Sequence, residues 1–110
     1  MEFVRIADTS ELAPGQMKQA QADGQDILLA NVDGQYYAVA NRCTHQGGLL
    51  CDGSLAAGIV VCPRHGARFD VRTGAAVAGP KILFFERSVK SLLSFQVLID
   101  GTRVFVGLPD

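Results

Sequence analysis

Apolar and polar residues alternate over short runs of this chain, and residues that favour tight turns cut the runs apart. In residues 67–72, Ala67, Phe69 and Val71 fall on one face and Arg68, Asp70 and Arg72 on the other, a period of two that predicts a half-buried strand. Phe95, Val97 and Ile99 alternate with Gln96 and Leu98 ahead of Asp100-Gly101, so residues 95–107 predict a hairpin. The runs 26–32 and 35–40, on either side of Asp33-Gly34, predict another. Residues 58–71 read as two strands joined across a loop. Residues 81–94 fit either a strand plus loop or a short helix, and periodicity does not choose between them.

The punctuation is dense. Asp23-Gly24, Asp33-Gly34, Asp52-Gly53, Thr73-Gly74 and Asp100-Gly101 are turn signals, and Gly79-Pro80 is a harder break. An all-β fold is expected, with no linker, repeat or low-complexity segment. With 110 residues, 48% of them hydrophobic, the chain is expected to form one domain over 1–110.

Composition narrows the partners. The formal charge of −1 gives no reason to expect nucleic acid or an anionic membrane. The charge is uneven, however: residues 42–90 carry a net +4 and the remainder a net −5. The N-terminus lacks a basic start followed by an apolar run, and no window approaches the roughly 18 apolar residues of a membrane span. A cytoplasmic monomer is expected. Three cysteines, an odd number, argue against a disulfide framework and for metal or redox chemistry.

Nearly all the cysteine and histidine is spent in two short segments. Cys43 and His45 are one residue apart, Cys62 and His65 two, and sixteen residues lie between His45 and Cys62. Two loops at the ends of paired strands can each offer a thiolate and an imidazole to one point, a complete set of four ligands. Gly47, Gly48, Pro63 and Gly66 flank these residues and let backbone N–H groups approach sulfur. Two sulfurs and two nitrogens also make a tetrahedral zinc set, so a structural zinc-binding module is the alternative from the ligands alone. Catalysis on an organic substrate at a mononuclear iron would need two more histidines, and the chain has only His45 and His65.

Cys-x-His, sixteen residues, then Cys-x-x-His resembles the pattern of Rieske-type [2Fe–2S] proteins. The resemblance extends to Leu50, Gly53 and Leu55, to residues 72–74, to Gly79-Pro80 where the family has a loop over its cluster, and to the final hairpin. It implies three stacked antiparallel sheets with a cluster-binding subdomain of two loops. It further implies that Cys43 and Cys62 bind the inner iron and that His45 and His65 bind the outer one through Nδ1. Two ferric ions, two sulfides and two thiolates sum to zero charge, so such a centre accepts an electron more readily than a four-thiolate cluster, at roughly −150 to +300 mV against about −400 mV.

Membrane-bound respiratory members carry a further cysteine in each loop, where this chain has Gly48 and Arg64, and hydroxyl side chains where it has Ala67 and Phe69. The chain is therefore similar to the soluble ferredoxins of multicomponent oxygenases, with a potential near the low end of the range. That branch implies a flavoprotein ferredoxin reductase as donor and a terminal oxygenase or other electron acceptor as partner. The small subunit of an assimilatory nitrite reductase is the alternative within the same fold. Cys51 reads as a small buried hydrophobe, or else as a redox-sensing thiol. Phe84 and Phe85 read as core aromatics, or else as a docking patch.

Overall fold

Twelve short strands form among the described residues: β1 Glu2–Asp8, β2 Met17–Ala22, β3 Gln25–Val32, β4 Gln35–Ala40, β5 Ser54–Ala56, β6 Ile59–Val61, β7 Arg68–Asp70, β8 Ala76–Ala78, β9 Lys81–Ile82, β10 Phe85–Glu86, β11 Ser94–Asp100 and β12 Arg103–Leu108. The structure is a computed structural model. It describes every residue except His45, Gln46, His65, Pro80, Leu83, Phe84, Arg87, Ser88 and Asp110, and leaves the side chains of 81, 82, 85 and 86 undescribed. The strand pairings are antiparallel. The helical elements among the described residues are two 3₁₀ turns, Thr9–Glu11 and Leu50–Asp52.

Asp23-Gly24 and Asp33-Gly34 close their hairpins with both residues at positive φ, as type I′ turns require. The last hairpin turns one residue later than its Asp-Gly signal suggests. Asp100 still pairs with Arg103, and Gly101 takes the first turn position at φ 62°, which is the place of glycine in a II′ turn. The β5–β6 hairpin turns on Ala57-Gly58, with Ala57 itself at φ 52°.

β3 explains the layering. Ile27 through Val32 are buried without a break, because both faces of the strand are covered. Ile27 and Leu29 join Ala38, Phe95, Val104, Val106 and Leu108 in one core. Leu28, Ala30 and Val32 point the other way, into a core with Val60, Phe69, Val71, Cys43 and Cys62. The strand order β1-β12-β11-β4-β3-β2 is one continuous six-stranded sheet and β5-β6-β7-β8 a four-stranded one, and the two cores on opposite faces of β3 divide them into three layers: β1-β12-β11, then β4-β3-β2, then β5-β6-β7-β8. The first two layers are edge-linked through only Ser94↔Val39 and Phe95↔Ala38. Burying the side chains of Ile27, Leu28 and Leu29 contributes about 1.5–3 kcal/mol each.

The ambiguous stretch 81–94 resolves into the short pair β9–β10 followed by an extended segment, with no helix among its described residues. Phe84 lies outside the described residues and so does the Phe85 side chain, so the docking reading of this pair rests on the sequence alone. Residues 90–93 form a strap held by backbone and side-chain bonds: Leu92 N–H donates to Gly74 O (2.7 Å), Ala40 N–H to Leu93 O (2.8 Å), and Ala76 N–H to Ser91 Oγ (3.1 Å).

Gly74 sits at φ +82°, and a β-carbon there would run into the Leu92 carbonyl. Gly74→Ala should therefore lower stability by about 2 kcal/mol or more, read as a reduced urea midpoint with an unchanged slope.

Candidate metal centre

The first loop springs from a narrow neck. Arg42 and Leu49 form an isolated antiparallel bridge, and Leu50 N–H donates to Asn41 O (2.7 Å) one rung below. Above the bridge, Cys43 N–H donates to Gly48 O (2.8 Å) and Gly47 N–H to Cys43 O (3.0 Å). Gly47 takes φ 71° to make this reversal. The second loop caps the β6–β7 hairpin, closed by Cys62 N–H donating to Ala67 O (2.8 Å).

The two loops meet at their sulfurs. Cys43 and Cys62 are 3% and 2% exposed and form no disulfide. A β-carbon on Gly48 would lie 3.2 Å from Cys62 Sγ and 3.2 Å from Arg64 Cδ. The absence of a side chain at 48 thus lets the first loop lie against the second. Burial raises the pKa of the Cys62 thiol, the backbone N–H of Arg64 opposes that rise, and the adjoining Cys43 sulfur adds to it. Two buried, unbridged cysteines from separate loops in one core are a poor arrangement for free thiols and a good one for ligands, since a bound cation deprotonates coordinating thiols outright. The donor set fits an iron–sulfur cluster.

His45 and His65 lie outside the described residues; the structure brings together the two cysteines of the predicted four. Around them, Thr44 Oγ1 donates to Lys90 O (2.6 Å), tying the first loop to the strap. Ala67 and Phe69 are fully buried behind the second loop, and neither has a hydroxyl to offer. At Gly48 and Arg64, the positions that hold bridging cysteines in the respiratory branch, the Arg64 methylenes lie instead in the space that a side chain at 48 would enter.

The basic residues near the motif differ in their surroundings. Arg42 faces Asp26 (Nε to Oδ2, 3.6 Å) and reaches toward Gly47 O (3.5 Å). Arg72 pairs with Asp70 at 3.3 Å and donates to Ala57 O. Arg64 and Arg68 are exposed and have no ion-pair partner among the described residues. Cys51 is half-buried against the core that holds Cys43 and Cys62, and its sulfur accepts a hydrogen bond from Asn41 Nδ2 (3.3 Å). Asn41 and Asp26 carried no signal in the sequence, because a lone Asn or Asp near a strand end is ordinarily a solvated turn residue.

No helix among the described residues is long and apolar enough to cross a membrane. The Rieske [2Fe–2S] domain family matches residues 2–86. The chain is 35% identical to the ferredoxin component of biphenyl 2,3-dioxygenase from Rhodococcus jostii (strain RHA1), over 91% of its own length and 94% of that protein's. Among solved structures it resembles the ferredoxin of carbazole 1,9a-dioxygenase from Nocardioides aromaticivorans IC177, with a TM-score of 0.81, 31% identity, and 96% and 97% of the two chains covered. It also resembles a chain in a complex of reduced oxygenase and oxidised ferredoxin of carbazole 1,9a-dioxygenase, with a TM-score of 0.83, 27% identity, and coverage of 94% and 91%. Such relatives select an iron–sulfur cluster over zinc at the paired thiols. Sulfur geometry, layered fold and likeness along nearly the whole chain agree, and the chain belongs to the Rieske [2Fe–2S] family as an electron-transfer protein with one Rieske-type cluster.

Proposed function

We propose that this ferredoxin takes electrons one at a time from a flavoprotein reductase and passes them to the terminal oxygenase of a dioxygenase-type system. In this reading Cys43 and Cys62 hold the inner iron and His45 and His65 the outer one. The observation that supports the cysteine half of this reading is that two buried, unbridged cysteines from separate loops share one core, and the spacing of the motif supports the histidine half. The likeness to dioxygenase ferredoxins, and to a chain solved together with an oxygenase, supports the choice of acceptor. We place this single domain, 1–110, in the cytoplasm and take it to act as a monomer; Cys51, the cysteine not assigned to the cluster, is a free thiol, as a reducing compartment allows.

When bound, the cluster accepts one electron and gives it up again. The chain's own residues set how readily. Cys43 and Cys62 are shielded from water, while Ala67 and Phe69 present no hydroxyl toward the sulfurs. Without such donors the added negative charge is less well stabilised, which places the potential near about −150 mV. Arg64 adjoins a proposed ligand and Arg68 follows on β7, and neither charge is neutralised by a described neighbour. These two, rather than Arg42 or Arg72, steer the tip onto acidic surfaces of a partner.

His45→Ala and His65→Ala should each abolish the Rieske EPR signal of the reduced protein, whereas Cys51→Ser should retain it. An unchanged signal in either histidine variant would remove the ligand assignment. Redox titration should show Ala67→Ser and Phe69→Tyr raising the potential, as each hydroxyl gains a sulfur to bond. In stopped-flow mixing with the cognate oxygenase, Arg64→Glu should slow electron transfer by about tenfold at low salt, and added salt should erase most of the difference. Rates indifferent to both would refute charge steering.

A further inference from the structure

Asn41 is fully buried, and its backbone and side chain are committed to hydrogen bonds. Its N–H donates to Asp26 O (3.0 Å) on β3, and its carbonyl accepts from Leu50 N–H (2.7 Å) across the neck of the first loop. Its side-chain Oδ1 accepts from Cys51 N–H (2.9 Å), and Nδ2 donates to Asp26 Oδ1 (3.1 Å) and to Cys51 Sγ (3.3 Å). One residue thus holds both ends of the segment 42–50 and fastens them to a strand of the middle layer.

Asp26 is the other half of the device. Its Oδ1 also accepts from Gln19 Nε2 (2.8 Å) on β2, and its Oδ2 faces Arg42 Nε at 3.6 Å. Its side chain is only 14% exposed. The carboxylate is therefore held between β2 and the two residues that lead directly into Cys43.

The chemistry of the position selects asparagine. It calls for one acceptor facing a backbone N–H and donors facing a carboxylate and a sulfur, which an amide supplies together. An aspartate at 41 would set carboxylate against carboxylate. An apolar residue would leave the Cys51 N–H and one side of Asp26 without their buried partner, and that loss is felt at the loop because the neck has only two rungs.

We propose that Asn41, anchored by Asp26, is a positioning residue that fixes the first cluster loop and thereby sets the environment of the cluster at Cys43. The inference rests on Cys43 and Cys62 being the cluster sulfurs. It concerns no ligand, so it stands or falls separately from the histidine assignment. A side chain that merely stabilised the fold would lower the unfolding midpoint and leave the folded cluster unaltered. A positioning residue changes the folded protein.

The test compares cluster-loaded wild type with Asn41→Leu and Asp26→Ala. Mass-detected hydrogen exchange of segment 43–48, EPR g-values and the midpoint potential would be recorded for each. Exchange across 43–48 is expected to accelerate by about tenfold or more in Asn41→Leu, as a buried hydrogen bond of about 1.4 kcal/mol is lost, with exchange of β11 and β12 unchanged. The g-values and potential are expected to move with it. Asp26→Ala, at a partly exposed site more tolerant of truncation, should shift the same three readouts in the same direction by less, and it decides the matter if Asn41→Leu does not fold. Asn41→Gln, which keeps the amide but displaces it, should fall between Asn41→Leu and wild type. Wild-type g-values, potential and loop exchange in the folded variants, even with a lowered unfolding midpoint, would overturn the proposal. Failure of the ligand reading would show differently, as an EPR signal that survives His45→Ala or His65→Ala.

Discussion

The burial of β3 on both faces is the constraint on which the rest of the architecture depends. A strand whose successive side chains all need cover cannot sit on the outside of a two-layer sandwich. Ile27 and Leu29 draw in the strands of the terminal layer, while Leu28, Ala30 and Val32 draw in the four short strands of the loop-bearing layer. The two hairpin ends that bear Cys43 and Cys62 are brought together as a by-product of that stacking. Both cysteines are members of the same core as Leu28, so metal site and hydrophobic core are continuous.

The sequence carried the hairpins wherever their turn chemistry was orthodox. Asp23-Gly24 and Asp33-Gly34 have the two positive φ angles that favour those residues. Ala57-Gly58 adopts an equivalent turn with nothing but a glycine to announce it, because the short register of β5 against β6 fixes the geometry from outside the turn. The shift of the last turn onto Gly101-Thr102 has a similar origin, since Asp100 is retained in the ladder by Arg103. Residues 81–94 resisted reading because their hydrogen bonds go to Gly74, Ala76 and Ala40, partners well separated in the chain.

The site was legible in a different way. Cysteine and histidine spacing is a local signal, so Cys43, His45, Cys62 and His65 stood out before any fold was known. What surrounds them was not. Arg42 adjoins Cys43 within the half of the sequence that carries net positive charge, yet Asp26, sixteen residues earlier, faces it at 3.6 Å. Asn41 looks like a turn residue until the neighbouring strand and the turn after the loop close over it. Charge availability and polar burial are tertiary properties, and neither is written in any one short window.

The narrow junction between β4 and β11 divides the molecule into units of unequal importance to the cofactor. Only Ser94↔Val39 and Phe95↔Ala38 join the terminal layer to the middle one by strand pairing. The core around Cys43 and Cys62 is built from residues between Met17 and Leu92, with no member from β1, β11 or β12. The terminal strands are instead held to the middle layer by the core they share with Ile27, Leu29 and Ala38, which lies on the face of β3 away from the sulfurs. A change of side chain in that outer core reaches the redox centre through β3, whose Ile27 and Leu29 face the terminal strands while Leu28 and Ala30 face the sulfurs.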